Sequence, residues 1–600
     1  MATGGQPPPS PDDSAPSSRA APTRARRALM WLIVLALPFA VLAVAEWGLR
    51  TTGFGRDLEP LFVPDPQRPD YLLANPRVVT RFFTDPSQAP QVSIETAYFR
   101  ATKAPGTFRV FVQGESSAAG FPYGLGASLA GMLDQRLERA FPGREIEVVS
   151  TALSAVTSYA LVDFADEIIA MQPDAVVVYA GHNEFLGILG VGSTLRMSAS
   201  PRLTRAFMRA REWRLFQLMD QAVGGFARRP SPGNAGSADS LMAEVAGERS
   251  ITLRSSLFEG GVGQFETNLD ALLARYRRAG VPVFVGTLAS NERDQPPLAI
   301  LAETGTEAAS AAETAWHAAQ DAEAAGDFRA ARDGYAWARD LDPLRFRAPS
   351  VFNEVVARVA AKHGAQAVDV HAAFVGSSPN GLVGGRLMLE HVHPNLDGYF
   401  LLADAFFDAM VAQGLPGSPE VTVPDEQARR EIPVSDVDRW LGEYKVQRVR
   451  TAWPFTTAGR PYQLPPAASE GERLAQELYR QRITWAEAQE GLRRYQLAAG
   501  DRAEYLRTTA ILADAFPFSG PLQFDTAAAL IALERPADAL RYARRAAELE
   551  PRNVNHLLVH AHALILNGRP GEARLVLERV LELEPGNPTA REVLPQLGGG

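Results

Sequence analysis

Cysteine is absent from the chain. That excludes disulfides, thiolate metal sites and a cysteine nucleophile, and leaves the redox compartment open. Lysine is nearly absent: Lys103, Lys362 and Lys445 are the whole complement, and arginine carries the remaining positive charge. The net charge is −9, so no basic field draws the protein to nucleic acid, and no nucleic-acid partner is expected. No nucleotide, redox or metal motif stands out, and no cofactor is expected.

Charge is missing altogether from residues 28–45, ALMWLIVLALPFAVLAVA. As a helix this run is about 27 Å long, close to the hydrocarbon thickness of a bilayer. Pro38 within it is tolerable in a membrane helix. Arg19, Arg24, Arg26 and Arg27 precede it. This flank places the N-terminus in the cytoplasm and everything after Glu46 outside it. The rival is a signal peptide cleaved after Ala43-Val44-Ala45. The apolar run exceeds the usual h-region of about 7–15 residues, so an uncleaved single-pass anchor is expected. Residues 1–27, Pro- and Ser-rich at their start, read as a disordered cytoplasmic tail.

Residues 46–106 read as an extended, Pro-rich lead-in whose aromatics (Tyr71, Phe82, Phe83, Tyr98, Phe99) pack on the next domain. From 107 to 414 two periods alternate. Strands are predicted at 108–113, 146–150, 175–180, 281–288 and 367–370. Helices are predicted at 125–140, 159–171, 264–279, 351–363 and 397–413. Such alternation implies an α/β domain, with helices on both faces of a parallel sheet. Two helical insertions interrupt it. One covers 188–257, with a helix near 203–223 and a loose stretch at 229–240. The other, 308–347, reads as a helical hairpin. Residues 415–470 read as a linker.

The tail, 471–600, carries a repeat. Pro517, Pro551 and Pro585 are 34 residues apart, and ELEP recurs at 548–551 and 582–585. Thirty-four residues is the tetratricopeptide period, two antiparallel helices per unit, and such solenoids present a groove for a protein or peptide partner. Leu540, Ala543, Ala547, Leu575, Leu577, Val580 and Leu581 are its expected inward faces. Gly326 and Pro343 share the 17-residue offset of Gly500–Pro517 and Gly568–Pro585, so 308–347 reads as one such unit inserted into the α/β domain.

Three stretches carry the chemistry. RVFVQGESSAAG (109–120) is an apolar strand running into a small-residue turn at Ser116. VVVYAGHNE (176–184) is a second strand with a polar tip at Asn183. EHVHPN (390–395) sets Glu390 three residues before His393. A serine just past the carboxyl end of a strand is where open α/β sheets place ligands. Serine becomes a nucleophile when a base takes its proton. His393 can do so, with Glu390 orienting its ring. The backbone N–H of Ser116, one in the turn after strand 146–150, and the Asn183 amide can serve as oxyanion donors. The nucleophile elbow G-x-S-x-G fails, because Ala118 stands where its second Gly belongs. His391, two residues from His393, invites a metal reading, but neither a carboxylate cluster nor a third well-placed His goes with them, and no metal is expected. His182 reads as structural. For Arg345, Arg347 and Asn353 a structural role is preferred to substrate contact.

These blocks resemble those of the SGNH, or GDSL-like, hydrolases. Gly114-Glu115-Ser116 with Gly120 resembles the G-D-S-x-x-x-G block. Gly181-His182-Asn183-Glu184 resembles G-x-N-D, and Glu390-x-x-His393-Pro394 resembles D-x-x-H-P. Each carries Glu for Asp. The remaining block normally supplies an oxyanion-hole Gly, and Ala155 takes its place. The resemblance implies a flavodoxin-like parallel sheet and a Ser116–His393–Glu390 triad. It also implies an oxyanion hole of Ser116, Ala155 and Asn183. The expected activity is that of a membrane-anchored, extracytoplasmic serine esterase working on an ester substrate such as an acylated carbohydrate. The alternatives are an O-acyltransferase modifying cell-surface polysaccharide, and a catalytically weak repeat scaffold.

Overall fold

The computed structural model describes residues 1, 3–5, 24–194, 198, 200–227, 246–247, 250–458 and 462–598. The expectations for most of the N-terminal tail, Arg19 included, and for 229–240 lie outside the described residues. The chain forms two compact bodies, 1–58 with 206–233, and 59–205 with 234–600.

In the larger body three short strands come first: β1 (Phe62–Pro64), β2 (Tyr71–Ala74) and β3 (Phe99–Arg100), paired antiparallel. The stretch read as extended is thus a small sheet with two 3₁₀ turns. The β2–β3 pairing joins Tyr71 to Arg100 and Leu72 to Phe99, nearly thirty positions apart, which local patterning does not reveal. Its aromatics do pack on the next layer: the Phe62 and Phe99 rings lie 5.7 and 5.9 Å from Phe111, and Phe82 lies 6.0 Å from Phe164. Arg109 stitches the two sheets together. Fully buried, it pairs with Glu147 at 2.7 Å and donates to the Arg100 carbonyl at 2.8 Å.

The main sheet contains β4 (Phe108–Gly114), β5 (Ile146–Ser150), β6 (Ala175–Tyr179), β7 (Val283–Gly286) and β8 (Gln366–Val368). All pairings are parallel, in the order β5-β4-β6-β7-β8. This is the flavodoxin-like order. Every residue of β4 and β6 is buried, as the apolar runs Val110–Val112 and Ala175–Tyr179 require of strands covered on both faces. Helices Leu129–Ala140 and Leu396–Ala412 pack together in one layer. Ser158–Ala170, Ser256–Arg278 and Ser350–His363 pack together in another. The chain leaves β4 toward β5 on one side and returns to β6 on the other. Strand order therefore reverses between β4 and β6, and a crevice opens at their carboxyl ends.

Helices Glu307–Ala324 and Phe328–Leu341 form the expected inserted hairpin, turning at Gly326, whose φ of 80° is left-handed. The tail folds into successive helical hairpins from Trp485 to Val593. Two expectations are corrected here. The supposed linker 415–470 contains the helix Asp436–Arg450, whose Val437, Leu441 and Tyr444 share a core with Leu474, Ala488 and Leu492. It opens the helical array. Leu575 is 66% exposed; Ala573, Leu577 and Val580 point inward instead, following the i, i+4, i+7 stripe. Helices Arg502–Ala515 and Pro536–Leu549 face the α/β layer. Arg541 pairs with Glu138, Arg544 pairs with Glu145 at 2.9 Å, and the Tyr98 and Phe518 rings lie 5.0 Å apart.

In the smaller body the helix Arg24–Thr51 outruns the expected span at both ends, and residues 24–27, expected in the tail, are helical. Its segment Met30–Thr51 has a mean hydropathy of 2.2 and is long and apolar enough to cross a membrane. The helix expected near 203–223 is two, Pro201–Ala210 and Arg214–Ala227.

Candidate active site

Ser116 lies in the turn after β4. That turn is compact: the Ala118 and Ala119 amides donate to the Glu115 carbonyl at 3.0 and 2.9 Å. Gly114 is required at its start. A Cβ there would sit 2.4 Å from the Tyr179 carbonyl oxygen, so β4 and β6 could not close at their carboxyl ends. Ser117 Oγ donates to the Val392 carbonyl at 3.0 Å. This ties the serine turn to a segment 275 residues later.

That segment presents His393. Its Nε2 lies 2.8 Å from Ser116 Oγ, and its Nδ1 is hydrogen-bonded to Glu390 Oε1. The Phe121 ring packs 4.6 Å from the imidazole. The spacing of three lets the Glu390 carboxylate fold back on the ring, where Met388 and Pro394 bridge and the Leu389 amide donates to the His393 carbonyl at 2.8 Å. Ser116 is half-buried, His393 7% and Glu390 2% exposed.

The other Glu390 oxygen, Oε2, is hydrogen-bonded to His391 Nδ1. His391 is buried beside Phe346 and Phe455. Burial pushes the Glu390 carboxyl up, but the two imidazoles outweigh it and hold the pKa well below the usual carboxylate range. Burial also draws the His391 pKa down, with Glu390 opposing. Glu390, His391 and His393 offer three ligand atoms within 4.8 Å of one another. Each imidazole gives Nδ1 to the carboxylate, and Nε2 of His393 faces the serine.

Asn183 lies just beyond β6 at the switch point. Its side-chain Nδ2 is buried and has no hydrogen-bond partner among the described residues. An orphaned buried amide N–H costs about 1–3 kcal/mol unless something accepts from it. Gly181 before it adopts φ 148°, and a Cβ there would meet Leu288 Cδ1 at 2.5 Å. Glu115 holds this turn against the serine turn: its carboxylate accepts from the Gly181 and Asn183 amides at 3.0 and 3.1 Å. Burial, and then the charge of Glu184, push the Glu115 pKa up to about 8. Glu184 in turn accepts from the Ser158 amide at 2.9 Å and from Gln264 Nε2 at 2.6 Å. The longer acids at 115 and 184 are thus cross-braces between turns.

Ala155 lies in the turn after β5, with φ 62°. This is the left-handed region, which a Cβ makes costly by about 1–2 kcal/mol. The Ala155 carbonyl accepts from the Ile188 amide at 2.7 Å, and Val156 bridges Ile188. Its turn is therefore joined to the segment beyond Asn183.

The other polar candidates are occupied within the fold. Arg345 donates to the Ile251 and Asp340 carbonyls, Arg347 to those of Asn291 and Gln295, and Asn353 bridges the Leu288 backbone. His182 is buried, accepts from the Ala348 amide at 3.3 Å through Nδ1, and has its pKa drawn down to about 3, chiefly by burial. The pairing of His391 with Glu390, and the bracing by Glu115 and Ser117, are not legible in the sequence. Adjacency of His391 to Glu390 is the one signal it offers. A cavity of about 380 Å³ between helix Leu129–Ala140 and the repeats is lined by none of the candidate catalytic residues.

Among known families, the tetratricopeptide repeat matches residues 530–597. No curated protein matches the sequence. Among solved structures, the acetyl xylan esterase AlAXEase is 13% identical, covers 50% of this chain and 99% of its own, and has a TM-score of 0.27. Axe2, an acetylxylan esterase from Geobacillus stearothermophilus, is 15% identical, with coverage of 50% and 93% and a TM-score of 0.26. The first tetratricopeptide domain of Spaghetti (RPAP3), bound to an HSP90 peptide, is 25% identical, with coverage of 19% and 89% and a TM-score of 0.18.

Proposed function

We propose that this chain is a membrane-anchored, extracytoplasmic serine esterase that cleaves O-acyl bonds through a Ser116–His393–Glu390 triad. The observation that carries the reading is the chain of hydrogen bonds from Ser116 Oγ through both nitrogens of His393 to Glu390. Ser116 Oγ attacks the acyl carbon while its proton passes to His393 Nε2. The positive imidazole is stabilised and oriented by Glu390, which keeps its negative charge. The carbonyl oxygen becomes an oxyanion facing the Ser116 and Ala155 backbone N–H groups and Asn183 Nδ2, whose missing acceptor the substrate supplies. Collapse expels the alcohol, protonated by His393, and leaves an acyl-enzyme. Water, deprotonated by the same nitrogen, releases the acid and returns the proton to Ser116.

In this reading residues 28–45 anchor the protein, with the N-terminus cytoplasmic because of the arginines before it. The α/β domain and the repeats lie on the other side, where the repeats meet a protein or peptide partner. The test uses the full chain with a fluorophosphonate and an aryl acetate. The wild type should label and turn over. Ser116→Ala should lose both, and His393→Ala should lose turnover nearly as fully, since nucleophile and base act as one unit. Asn183→Ala should lose about 10²–10³-fold in kcat, the usual worth of one oxyanion donor. Labelling and turnover that survive in Ser116→Ala would overturn the assignment.

A further inference from the structure

The smaller body holds a feature that esterase chemistry does not use. Glu46 stands one residue past the charge-free run 28–45. Its carboxylate accepts from the Arg214 amide at 3.0 Å and the Leu215 amide at 2.9 Å. These are the first amides of the helix Arg214–Ala227, donors that have no partner within a helix. Arg50 donates to the Glu212 carbonyl at 3.0 Å, Arg214 pairs with Asp57 at 2.7 Å, and Gln217 bonds both the amide and the carbonyl of Arg56. The start of the second helix is therefore clamped to the end of the first. An α-helix rises about 1.5 Å per residue, so Glu46 lies within one turn of the end of the apolar run.

The second helix leaves an apolar face bare. Leu215, Leu218, Met219 and Ala222 fall at the i, i+3, i+4, i+7 positions of one stripe. Leu218 is 40% and Met219 58% exposed, and Trp213 just before the helix is 54% exposed. Trp47, on the anchor, is 68% exposed. Gln221 lies off this stripe and is exposed as well. Tryptophans at the end of an apolar span, beside an amphipathic helix, are the pattern of a protein surface seated in the headgroup region. The large apolar side chains of residues 30–44 are likewise exposed throughout.

We propose that helix Arg214–Ala227 is a second membrane contact, an interfacial helix that lays Leu218, Met219 and Ala222 on the lipid surface beside the anchor. The inference rests on reading 28–45 as a membrane span and adds a surface that fixes the body's orientation to the bilayer. It explains why Glu46, at a membrane boundary, caps a helix from a segment 168 residues later.

The absence of cysteine makes the test direct. Single cysteines at Val34, Leu218, Met219 and Gln221 are spin-labelled in the full chain, reconstituted in phosphatidylethanolamine–phosphatidylglycerol vesicles. Collision rates with oxygen and with a nickel chelate are then measured. Labels at 218 and 219 should favour oxygen several-fold over the label at 221, and the label at 34 should favour it most. Nickel access at 218 and 219 equal to that at 221, with 34 still in hydrocarbon, would overturn the interfacial helix and spare the anchor. Shielding of 218 and 219 from both probes would mean a protein cover and would also overturn it. Nickel access at 34 would sink the anchor and, with it, a second contact beside it, whatever the labels at 218 and 219 show. All four labels in water would sink both.

Discussion

The carboxylate of Glu115 accepts a 3.1 Å hydrogen bond from the backbone amide of Asn183. The residue before the candidate nucleophile thereby sets the position of the candidate oxyanion donor. The same carboxylate holds the Gly181 amide at 3.0 Å. Glutamine can accept only one of these two bonds, so Glu115→Gln should lose about 1–3 kcal/mol, the cost of one unsatisfied buried amide. The substitution should also change the pH dependence. Glu115 is raised in the native state, from an ordinary 4.5 to about 8. Its contribution to stability is full below 4.5 and is lost as pH rises through 8. Urea unfolding of the wild type should show this decline, and Glu115→Gln should flatten it. An unchanged slope would contradict the assignment.

His391 shares Glu390 with the candidate base. If its hydrogen bond helps keep Glu390 ionised, removing it should raise the Glu390 pKa. Glu390 is lowered in the native state, so the stability it contributes is present at neutral pH and lost as pH falls through its native pKa. In His391→Phe the acid limb of stability, read by urea unfolding, should therefore move to higher pH. His391→Asn, which retains a donor, should move it less. A pH profile that neither variant shifts would show His391 to be packing alone.

Ala155 at φ 62° predicts a gain from its own replacement. Glycine adopts this conformation without the Cβ clash, at some entropic cost in the unfolded chain. Ala155→Gly should raise Tm slightly, or leave it unchanged, and keep or increase kcat. Ala155→Val, branched at Cβ, should lose both. Thermal melts and ester turnover of the two variants read this directly.

The repeats predict a stability effect on the α/β domain. Arg541 pairs with Glu138 on helix Leu129–Ala140, and Phe518 packs on Tyr71 and Tyr98 of the lead-in. Arg541→Ala should cost about 1.5–3 kcal/mol, the worth of a charge-assisted hydrogen bond. Phe518→Ala should cost at least as much. The loss should be seen in the temperature at which ester hydrolysis fails, not only in the melting of the repeats. Hydrolysis that keeps its thermal stability in both variants would show the repeats to be independent of the catalytic layer.

Whatever a local period or a fixed offset encodes is legible in the chain alone. The β-branched, short apolar runs at 110–112 and 176–179, each followed within two residues by a glycine, read as central strands of a covered sheet. The 34-residue recurrence of Pro517, Pro551 and Pro585 announces stacked hairpins, and the charge-free 28–45 announces a membrane-length helix. The order of the blocks around Ser116, Asn183 and His393 is legible because each sits at the end of a periodic element. Other features depend on contacts between residues far apart in the chain, and the fold alone reveals them. The antiparallel pairing of Tyr71–Ala74 with Phe62–Pro64 and Phe99–Arg100 leaves no period in a Pro-rich stretch. Helix Asp436–Arg450 belongs to the helical array because Tyr444 packs against Leu474 and Leu492. Leu575 and Leu577 are equally apolar, and which of them faces the core depends on how the helix is rotated against its neighbours. The glutamates at 115, 184 and 390 read from sequence as the same Asp-to-Glu change. In the fold the first two brace turns through backbone amides, and the third divides its oxygens between two imidazoles. One side-chain type thus takes two roles, because the groups within hydrogen-bonding reach, not the residue itself, decide what a buried carboxylate does.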